Sequence, residues 1–252
     1  MAKQENIIPL TGTIGNLNFY KKDGEYRVRR KGGVSKNRIL NDPKFARTRE
    51  NMAQLGLVAS DLKLFLGSMI AIRNRMGGKV RVNPLSKLLF KVAYLDGLSV
   101  RGDKQVAIGI KEDQGINYFR GLPLTSHSIT QNLSVPIQVD RVTGVVSSDE
   151  FVPTTQMIYP PSATHFEMQS AVVAVDFKNK SHAVSYSEPL LLPIDQTPLS
   201  LLFDSVSMPN PGGDPTYFVL LSLIYHQHDN GNLYQLNSAN CLSLDIIDAF
   251  NP

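Results

Sequence analysis

Residues 218–236 read FVLLSLIYHQHDNGNLYQL and contain the clearest fold signal in the chain. Phe218 to Tyr225 is apolar at odd and even positions alike, so a strand there would be buried on both faces and would lie in the middle of a sheet. Asn230 and Gly231 form a dipeptide that tight hairpin turns prefer, because both residues tolerate positive φ. The stretch therefore predicts a central strand that is joined to the next strand at 230–231.

The segments around this hairpin continue the same pattern over residues 99–252. Runs rich in Val, Ile, Leu, Tyr and Phe alternate with turns made of Pro, Gly, Asn and Asp, and no helical pattern separates them. The runs are 105–110, 133–139, 168–177, 217–228 and 232–247. We therefore predict a mainly β fold, with an antiparallel β-sandwich of jelly-roll or immunoglobulin-like type over residues 99–252.

Residues 43–98 repeat their apolar positions with a helical period instead. Asn41-Asp42-Pro43 is a helix-start signal, with Asn41 or Asp42 as the N-cap. The first helix would bury a stripe formed by Phe45, Met52, Leu55, Ala59, Leu62, Leu66 and Met69. After Gly77-Gly78, a second and shorter helix would bury Leu85, Leu88, Leu89, Val92 and Leu95. The pattern predicts a helical hairpin over residues 43–98.

Residues 1–42 form a basic arm with a β-hairpin signal of its own. LNFYKKDGEYRVRRK (17–31) alternates around Asp23-Gly24, a strong turn signal. On the returning strand, side chains at even positions would point one way and those at odd positions the other. The first group is Tyr26, Val28 and Arg30, and the second is Arg27, Arg29 and Lys31. One face of the hairpin would thus be a row of cations.

The net charge of +4 hides a strong asymmetry between the two parts of the chain. Residues 1–105 carry 21 Lys and Arg against 8 Asp and Glu, a net charge of +13, while residues 106–252 carry 5 against 14, a net charge of −9. This asymmetry indicates a polyanionic partner for the basic part. The alternative is protein–protein complementarity, in which the basic part pairs with the acidic part of a neighbouring subunit or of the same chain.

If the partner is nucleic acid, Lys and Arg would neutralise phosphates without reading base sequence. Tyr20 and Tyr26 could stack on bases of a single strand. The predicted nucleic-acid-binding residues are Lys21, Lys22, Arg27, Arg29, Arg30, Lys31, Lys36, Arg38, Lys44, Arg47 and Arg49.

Catalytic and metal-binding patterns are missing from the sequence. No Gly-x-Ser-x-Gly elbow, phosphate-binding loop or Cys with a nearby His is present. Asp149-Glu150 and the Asp245/Asp248 pair have no evident basic or aromatic neighbours that would tune them as acid and base. His226 and His228 would share one face of a strand, but no third metal ligand is evident. We therefore expect a protein that is not an enzyme and uses no cofactor or metal.

The N-terminal segment MAKQENIIPL lacks the apolar core of a secretory signal. The apolar windows are also too short to span a bilayer. A single cysteine, Cys241, excludes an intramolecular disulfide. We expect cytoplasmic synthesis without a signal peptide and without a membrane span.

Several stretches resemble an uncharacterised family of Bacteroidota proteins. They are GTIGNLNFYKKDGEYRVRRKGGVSKNRILNDPKFARTRENMAQLG (12–56), FVPTTQMIYPPSATHFEMQSAVVAVDF (151–177) and IYHQHDNGNLYQLNSANCLSLDII (224–247). The most specific part is Gly-Gly-Val followed by Arg-x-x-x-Asp-Pro-x-Phe-Ala-Arg-Thr-Arg-Glu-Asn, within Gly32 to Asn51. The resemblance implies a host lineage and no activity.

These features predict a self-assembling structural protein, such as the coat or capsid subunit of a phage or phage-like particle. In such subunits a β-sandwich shell domain makes lateral contacts, and a basic N-terminal segment faces packaged nucleic acid; this argument is an analogy between folds. The protein would then be a homo-oligomer incorporated in a virion or particle. The alternative is a non-enzymatic module on a β-sandwich that binds nucleic acid or a surface ligand.

Overall fold

The computed structural model describes residues 2–3, 10–204 and 206–252, and it divides the chain into two compact units. The N-terminal unit is Met1–Met52, and the C-terminal unit is Ala53–Pro252. Strands outnumber helical segments in the described part, and the sheets are built from antiparallel pairs. The prediction of a mainly β protein is therefore confirmed.

The N-terminal unit contains one four-stranded sheet followed by helices. The strands are β1 (Ala2–Lys3), β2 (Gly12–Ile14), β3 (Leu17–Lys22) and β4 (Glu25–Arg30), and their order in the sheet is β1-β4-β3-β2. β3 and β4 form the predicted hairpin, in which Asp23 and Gly24 adopt the positive φ values of 53° and 81° that the turn requires. The helical elements are α1 (Lys36–Asn41), a 3-10 helix (Pro43–Phe45) and the first residues of α2 (Ala46–Ser68).

The predicted helix start at residues 41–43 is confirmed. The Asp42 side chain accepts a hydrogen bond from the backbone N–H of Lys44 at 3.0 Å, and Pro43 occupies the first position of the 3-10 helix that leads into α2. Pro43 has no N–H to leave unsatisfied there. The preceding helix α1 was not predicted from sequence, although Ser35 caps it by accepting a hydrogen bond from the N–H of Arg38 at 3.3 Å.

Helix α2 buries a different face from the predicted one. Leu55 is 56% exposed and Ala59 is also exposed, although both belong to the predicted stripe. The buried residues of the helix are Gln54, Val58, Asp61, Phe65 and Ser68. The predicted burial of Met52, Leu55 and Ala59 was wrong because polar groups on the true inner face are satisfied by distant partners. Gln54 exchanges two hydrogen bonds with the backbone of Lys104, at 2.7 and 2.9 Å.

The C-terminal unit has a seven-stranded sheet and a three-stranded sheet. The remaining elements are α3 (Ile70–Arg75), α4 (Val82–Ala93), α5 (Val106–Gly109), α6 (Asp113–Asn117), β5 (Leu122–Pro123), α7 (Ile129–Asn132), β6 (Ile137–Val139), β7 (Val146–Ser148), α8 (Pro153–Gln156), β8 (His165–Asp176), β9 (Ser181–Tyr186), β10 (Leu190–Pro193), β11 (Leu202–Phe203), β12 (Thr216–Asp229), β13 (Asn232–Gln235), a second 3-10 helix (Ala239–Cys241) and β14 (Leu242–Phe250).

The larger sheet has the strand order β10-β8-β12-β14-β5, with β9 paired to β8 and β13 paired to β12. The smaller sheet has the order β11-β7-β6. Asn230 and Gly231, with φ values of 49° and 79°, connect β12 to β13. Both the hairpin at 230–231 and the central position of β12 are therefore confirmed.

Strand β12 is buried on both faces because each face carries a separate hydrophobic cluster. Phe218 and Leu220 belong to the cluster shared with α2 and α4, whereas Val219 and Leu221 belong to the cluster shared with the three-stranded sheet. The ring of Phe218 lies edge-on to the rings of Phe65 and Phe119, with centroids 4.8 and 5.0 Å apart. Helix α4 contributes Leu85, Leu89 and Val92 to the first cluster, as the sequence predicts.

Within residues 105–110, Val106–Gly109 form helix α5 rather than the predicted strand. A Cβ atom at Gly109 would lie 1.9 Å from the carbonyl oxygen of Val92, so α5 packs in close contact with the end of α4. A short apolar run is compatible with either a buried strand or a buried helical turn, and this close approach of two backbones is invisible in the local pattern.

Candidate nucleic-acid interface

The eleven predicted nucleic-acid-binding residues all lie in the N-terminal unit. Lys21 and Lys22 are on β3; Arg27, Arg29 and Arg30 are on β4; and Lys31 follows that strand. The others lie on the helical segments: Lys36 and Arg38 on α1, Lys44 on the 3-10 helix, and Arg47 and Arg49 on the first turn of α2.

The register of the hairpin places cations and an aromatic ring on one face of the sheet. Tyr20 pairs with Arg27, and Asn18 pairs with Arg29, so these side chains share a face with Lys22. We call Tyr20, Lys22, Arg27 and Arg29 the cationic face. The Arg29 guanidinium lies 5.3 Å from the centroid of the Tyr20 ring, and Arg27 forms an ion pair with Glu25 at 2.9 Å.

The opposite face of the same sheet is apolar. Phe19 pairs with Val28, and Leu17 pairs with both Ile14 and Arg30. We call Ile14, Leu17, Phe19 and Val28 the apolar face. Lys21 and Arg30 lie at its margins, and the Lys21 ammonium group is 5.3 Å from the centroid of the Tyr26 ring. The predicted cations are therefore divided between two faces of the sheet.

Three arginines on the helical segments are engaged within the N-terminal unit. Arg38 forms an ion pair with Asp42 at 3.1 Å, and Arg47 forms one with Glu50 at 3.0 Å. Arg49 donates hydrogen bonds from Nη1 to the carbonyl oxygens of Ile39 and Asp42, at 2.8 and 3.0 Å. Ile39 belongs to α1, and Asp42 is the N-cap of the 3-10 helix. Arg49, on the first turn of α2, therefore links α2 to both of these segments.

Five other cations are exposed and have no side-chain partner within the part of the chain that the structure describes. Such ammonium and guanidinium groups can neutralise phosphates without first breaking an internal ion pair. They are Lys22, Arg30, Lys31, Lys36 and Lys44.

The two histidines of the pair on β12 have different neighbours. His226 Nε2 lies 3.1 Å from a carboxylate oxygen of Glu167, which is also ion-paired with Arg75. Burial, together with the charge of Arg75, lowers the pKa of His226. The ring of His228 lies 6.0 Å from that of His165. Among the described residues, no group of three or more His, Cys, Asp or Glu is placed to hold a metal ion.

Asp248 has basic neighbours that were not predicted from sequence. Arg141 donates to its two carboxylate oxygens at 2.7 and 3.1 Å, and Arg120 lies 3.2 Å from one of them. The hydrogen bonds that Arg141 donates to Asp248 raise the pKa of Arg141 above its ordinary value. Arg141 also lies 5.6 Å from the ring of Phe250. The expectation that this acid has no basic neighbours was therefore wrong, because both arginines are more than 100 residues away along the chain.

Comparison of the chain with protein-family models, with curated proteins and with solved structures found no match. None of the helices in the described ranges combines the length and the hydropathy that a membrane-spanning segment needs.

Proposed function

We propose that the protein is a self-assembling structural protein, most simply the coat subunit of a phage or phage-like particle. In this proposal the N-terminal unit joins neighbouring copies through its apolar face and meets nucleic acid through its cationic face. The two sheets of the C-terminal unit, which share a hydrophobic cluster containing Val146, Phe203 and Val219, would act as the sandwich-like shell domain.

The observation that carries the proposal is the absence of a buried core in the described part of the N-terminal unit. None of residues 10–52 is buried, although the unit contains a four-stranded sheet with an apolar face. On that face Ile14 is 61% exposed and Leu17 is 43% exposed. A small sheet needs its hydrophobic face covered to be stable, so an apolar surface of this kind indicates a contact with another molecule.

Charge complementarity supports a second copy of the chain as that molecule. The N-terminal unit carries the cations described above, whereas residues 106–252 have a net charge of −9. Exposed carboxylates of the C-terminal unit could pair with cations at the margin of a neighbour's apolar face, such as Lys21, while the cationic face meets nucleic acid. They include Glu112, Asp113, Asp149, Glu150, Asp204 and Asp229.

A contact between different surfaces of two copies is heterologous. Such a contact repeats from one subunit to the next and generates closed rings, shells or filaments, depending on the rotation between copies. The N-terminal unit is basic and the C-terminal unit has exposed acidic residues. Extended assembly is therefore the expected consequence of contacts between the N-terminal unit of one copy and the C-terminal unit of the next.

Size-exclusion chromatography with light scattering, over a range of protein concentrations and ionic strengths, tests this proposal. We expect large species at low ionic strength whose mass falls as salt screens the charge contacts. Negative-stain images would then distinguish closed particles from filaments. A monomer under every condition would overturn the coat-subunit proposal.

One observation favours a second candidate, a non-enzymatic nucleic-acid-binding module. The Tyr20 ring, the Arg29 guanidinium and Lys22 lie on one sheet face, which is an arrangement suited to single strands because bases stack on aromatic rings while cations follow the phosphates. A protein that stays monomeric yet binds single-stranded nucleic acid in a salt-dependent way would favour this candidate over the coat subunit.

A further inference from the structure

A polar pocket in the C-terminal unit lies where helix α6, the turn after β6 and the end of strand β14 meet. Its volume is about 310 Å³. The charged side chains that line it are Asp113 on α6, Arg120 in the segment after that helix, and Arg141 in the turn after β6. The pocket therefore presents charges of both signs to a molecule that enters it.

The two arginines of the pocket are held in place by contacts within the C-terminal unit. Arg141 uses Nε and Nη2 to donate to the carboxylate of the buried Asp248. Arg120 Nε donates to the carbonyl oxygen of Ala249 at 3.0 Å, and its Nη1 donates to Asn117 Oδ1 at 2.7 Å. Both guanidinium groups are thus fixed before a ligand arrives, which lowers the entropic cost of binding.

Each guanidinium group keeps one terminal nitrogen without a partner among the residues that the structure describes. These nitrogens are Nη2 of Arg120 and Nη1 of Arg141. The two side chains are 39% and 51% exposed, so a molecule in the pocket can reach them. The two cations also share one carboxylate, that of Asp248, and this leaves one positive charge in excess. A ligand carboxylate suits such a pair, because guanidinium groups bind carboxylates through charge-assisted hydrogen bonds.

Asp113 supplies a negative charge at another point of the same pocket. It is exposed and has no hydrogen bond or ion pair within the described part of the chain. Asp113 precedes Asn117 by four residues on α6, so the two side chains are neighbours about one helical turn apart. Because Asn117 binds Arg120, Asp113 lies at a similar distance from that guanidinium group. The two arginines balance Asp113 and Asp248 in charge, which favours a ligand that carries both signs over a simple anion.

We propose that this pocket binds a small ω-amino acid in which about three methylene groups separate the carboxylate from the ammonium group. The carboxylate accepts from Arg120 Nη2 and Arg141 Nη1, and the ammonium group donates to Asp113. A chain of this length spans about one helical turn, whereas an α-amino acid holds its two charges closer together. The volume of the pocket corresponds to about ten water molecules at liquid density, which is enough for such a ligand. This proposal is independent of the proposed assembly function.

Saturation-transfer NMR on the full-length protein, with 4-aminobutyrate as the probe, tests the proposal for monomers and assemblies alike. We expect saturable binding with a Kd of about 1–10 mM. Butyrate lacks the ammonium group, and 2-aminobutyrate has the same composition as the probe with both charges at one end. Each of these controls should bind about three- to fivefold more weakly, because the exposed ion pair with Asp113 is lost. No saturable binding of 4-aminobutyrate, or equal binding of either control, would overturn the proposal.

Two variants assign the binding to this pocket. Asp113→Asn should lower the affinity for 4-aminobutyrate to that for butyrate. Arg141→Gln removes one donor to the carboxylate while Arg120 still pairs with Asp248, and it should weaken the binding of both compounds at least about tenfold. Asp149→Asn, at an exposed acid outside the pocket, is the control and should bind like the wild type. If Arg141→Gln does not fold, Asp113→Asn decides, because substitution at an exposed position preserves the fold and unchanged binding of 4-aminobutyrate would contradict the assignment.

Discussion

The guanidinium of Arg29 lies 5.3 Å from the centroid of the Tyr20 ring, across the pair of strands β3 and β4. This cation–π contact orients Arg29 on the cationic face and covers part of the ring at the same time. The face therefore offers phosphate-binding groups in a defined position, whereas stacking of a base on Tyr20 requires Arg29 to move or to join the stack.

Removing four of the five cations that have no internal side-chain partner should weaken nucleic-acid binding. The variant Lys22→Gln, Arg30→Gln, Lys31→Gln, Lys36→Gln should lower the slope of log K against log salt by about 0.7–0.9 for each phosphate contact that is lost. Filter binding or fluorescence anisotropy with single- and double-stranded DNA and RNA, at several salt concentrations, measures the slope.

The matched control carries the same change of charge in the C-terminal unit. Lys63, Lys79, Lys87 and Lys178 are exposed, and the variant with all four changed to Gln should keep the wild-type slope. An equal reduction in the control would show that net charge alone governs binding. A wild-type protein that binds no nucleic acid at any salt concentration would refute this interface.

Arg49 should behave differently from the other predicted binding residues. Arg49→Gln removes the hydrogen bonds to the carbonyl oxygens of Ile39 and Asp42, so the amides of α1 should exchange faster with solvent. Hydrogen-exchange mass spectrometry on residues 36–45 measures this effect. Arg47→Gln, which breaks only the exposed pair with Glu50, is the control and should leave exchange unchanged. Faster exchange in both variants would argue against a specific role for Arg49.

Changing the apolar face should abolish assembly without unfolding the subunit. Ile14→Gln and Leu17→Gln together should shift the light-scattering mass toward the monomer, because both side chains are exposed and would lose only intermolecular burial. Circular dichroism should be unchanged. Leu98 and Val142 are 85% and 83% exposed, and their change to Gln is the control. Assembly that survives the first double variant would place the subunit contacts on another surface.

Asp96 should be a major source of stability in the C-terminal unit. Oδ1 accepts from the N–H groups of Leu98 and Ser99 at 2.8 and 3.0 Å, and Oδ2 accepts from that of Gln105 at 2.9 Å. Asp96→Ala leaves three N–H groups without this acceptor, so it should lower the free energy of unfolding by at least about 3 kcal/mol. Urea denaturation at pH 7 measures the loss, and Asp149→Ala, at an exposed position, should change it by less than about 0.5 kcal/mol.

The contribution of Asp96 should also depend on pH. Burial alone would raise the pKa of Asp96, but the hydrogen bonds from Ser99, Gln105 and Leu98 outweigh burial and hold the pKa below its usual range. The stabilisation is then fully present above the unfolded-state pKa of about 3.9 and is lost as the pH falls through the lower folded-state value. The difference in unfolding free energy between wild type and Asp96→Asn should therefore be constant above about pH 5 and shrink below about pH 4. A difference that grows on acidification would contradict this sign.

The sequence by itself determined the features that depend on local backbone preferences and on burial along one strand. Asp23-Gly24 and Asn230-Gly231 both form the predicted turns. A tight hairpin turn requires residues that tolerate positive φ, and this requirement is local and independent of the tertiary structure. The central position of β12 followed from Phe218–Tyr225, since a strand that is apolar on both faces is stable only between two covering layers.

Only the tertiary structure decided which face of α2 is buried and which acids have partners. Gln54 and Asp61 lie on the buried face because Lys104 and Lys180, 50 and 119 residues away, satisfy them, while apolar Leu55 stays exposed. Asp245 and Asp248 lie three residues apart on the same strand, yet among the residues that the structure describes Asp248 is paired with two arginines and Asp245 with none. A local sequence pattern shows the polarity of each side chain. Burial of a polar group, however, depends on whether a distant residue supplies its hydrogen bond or counter-charge. Only the folded chain determines which residues are paired in this way.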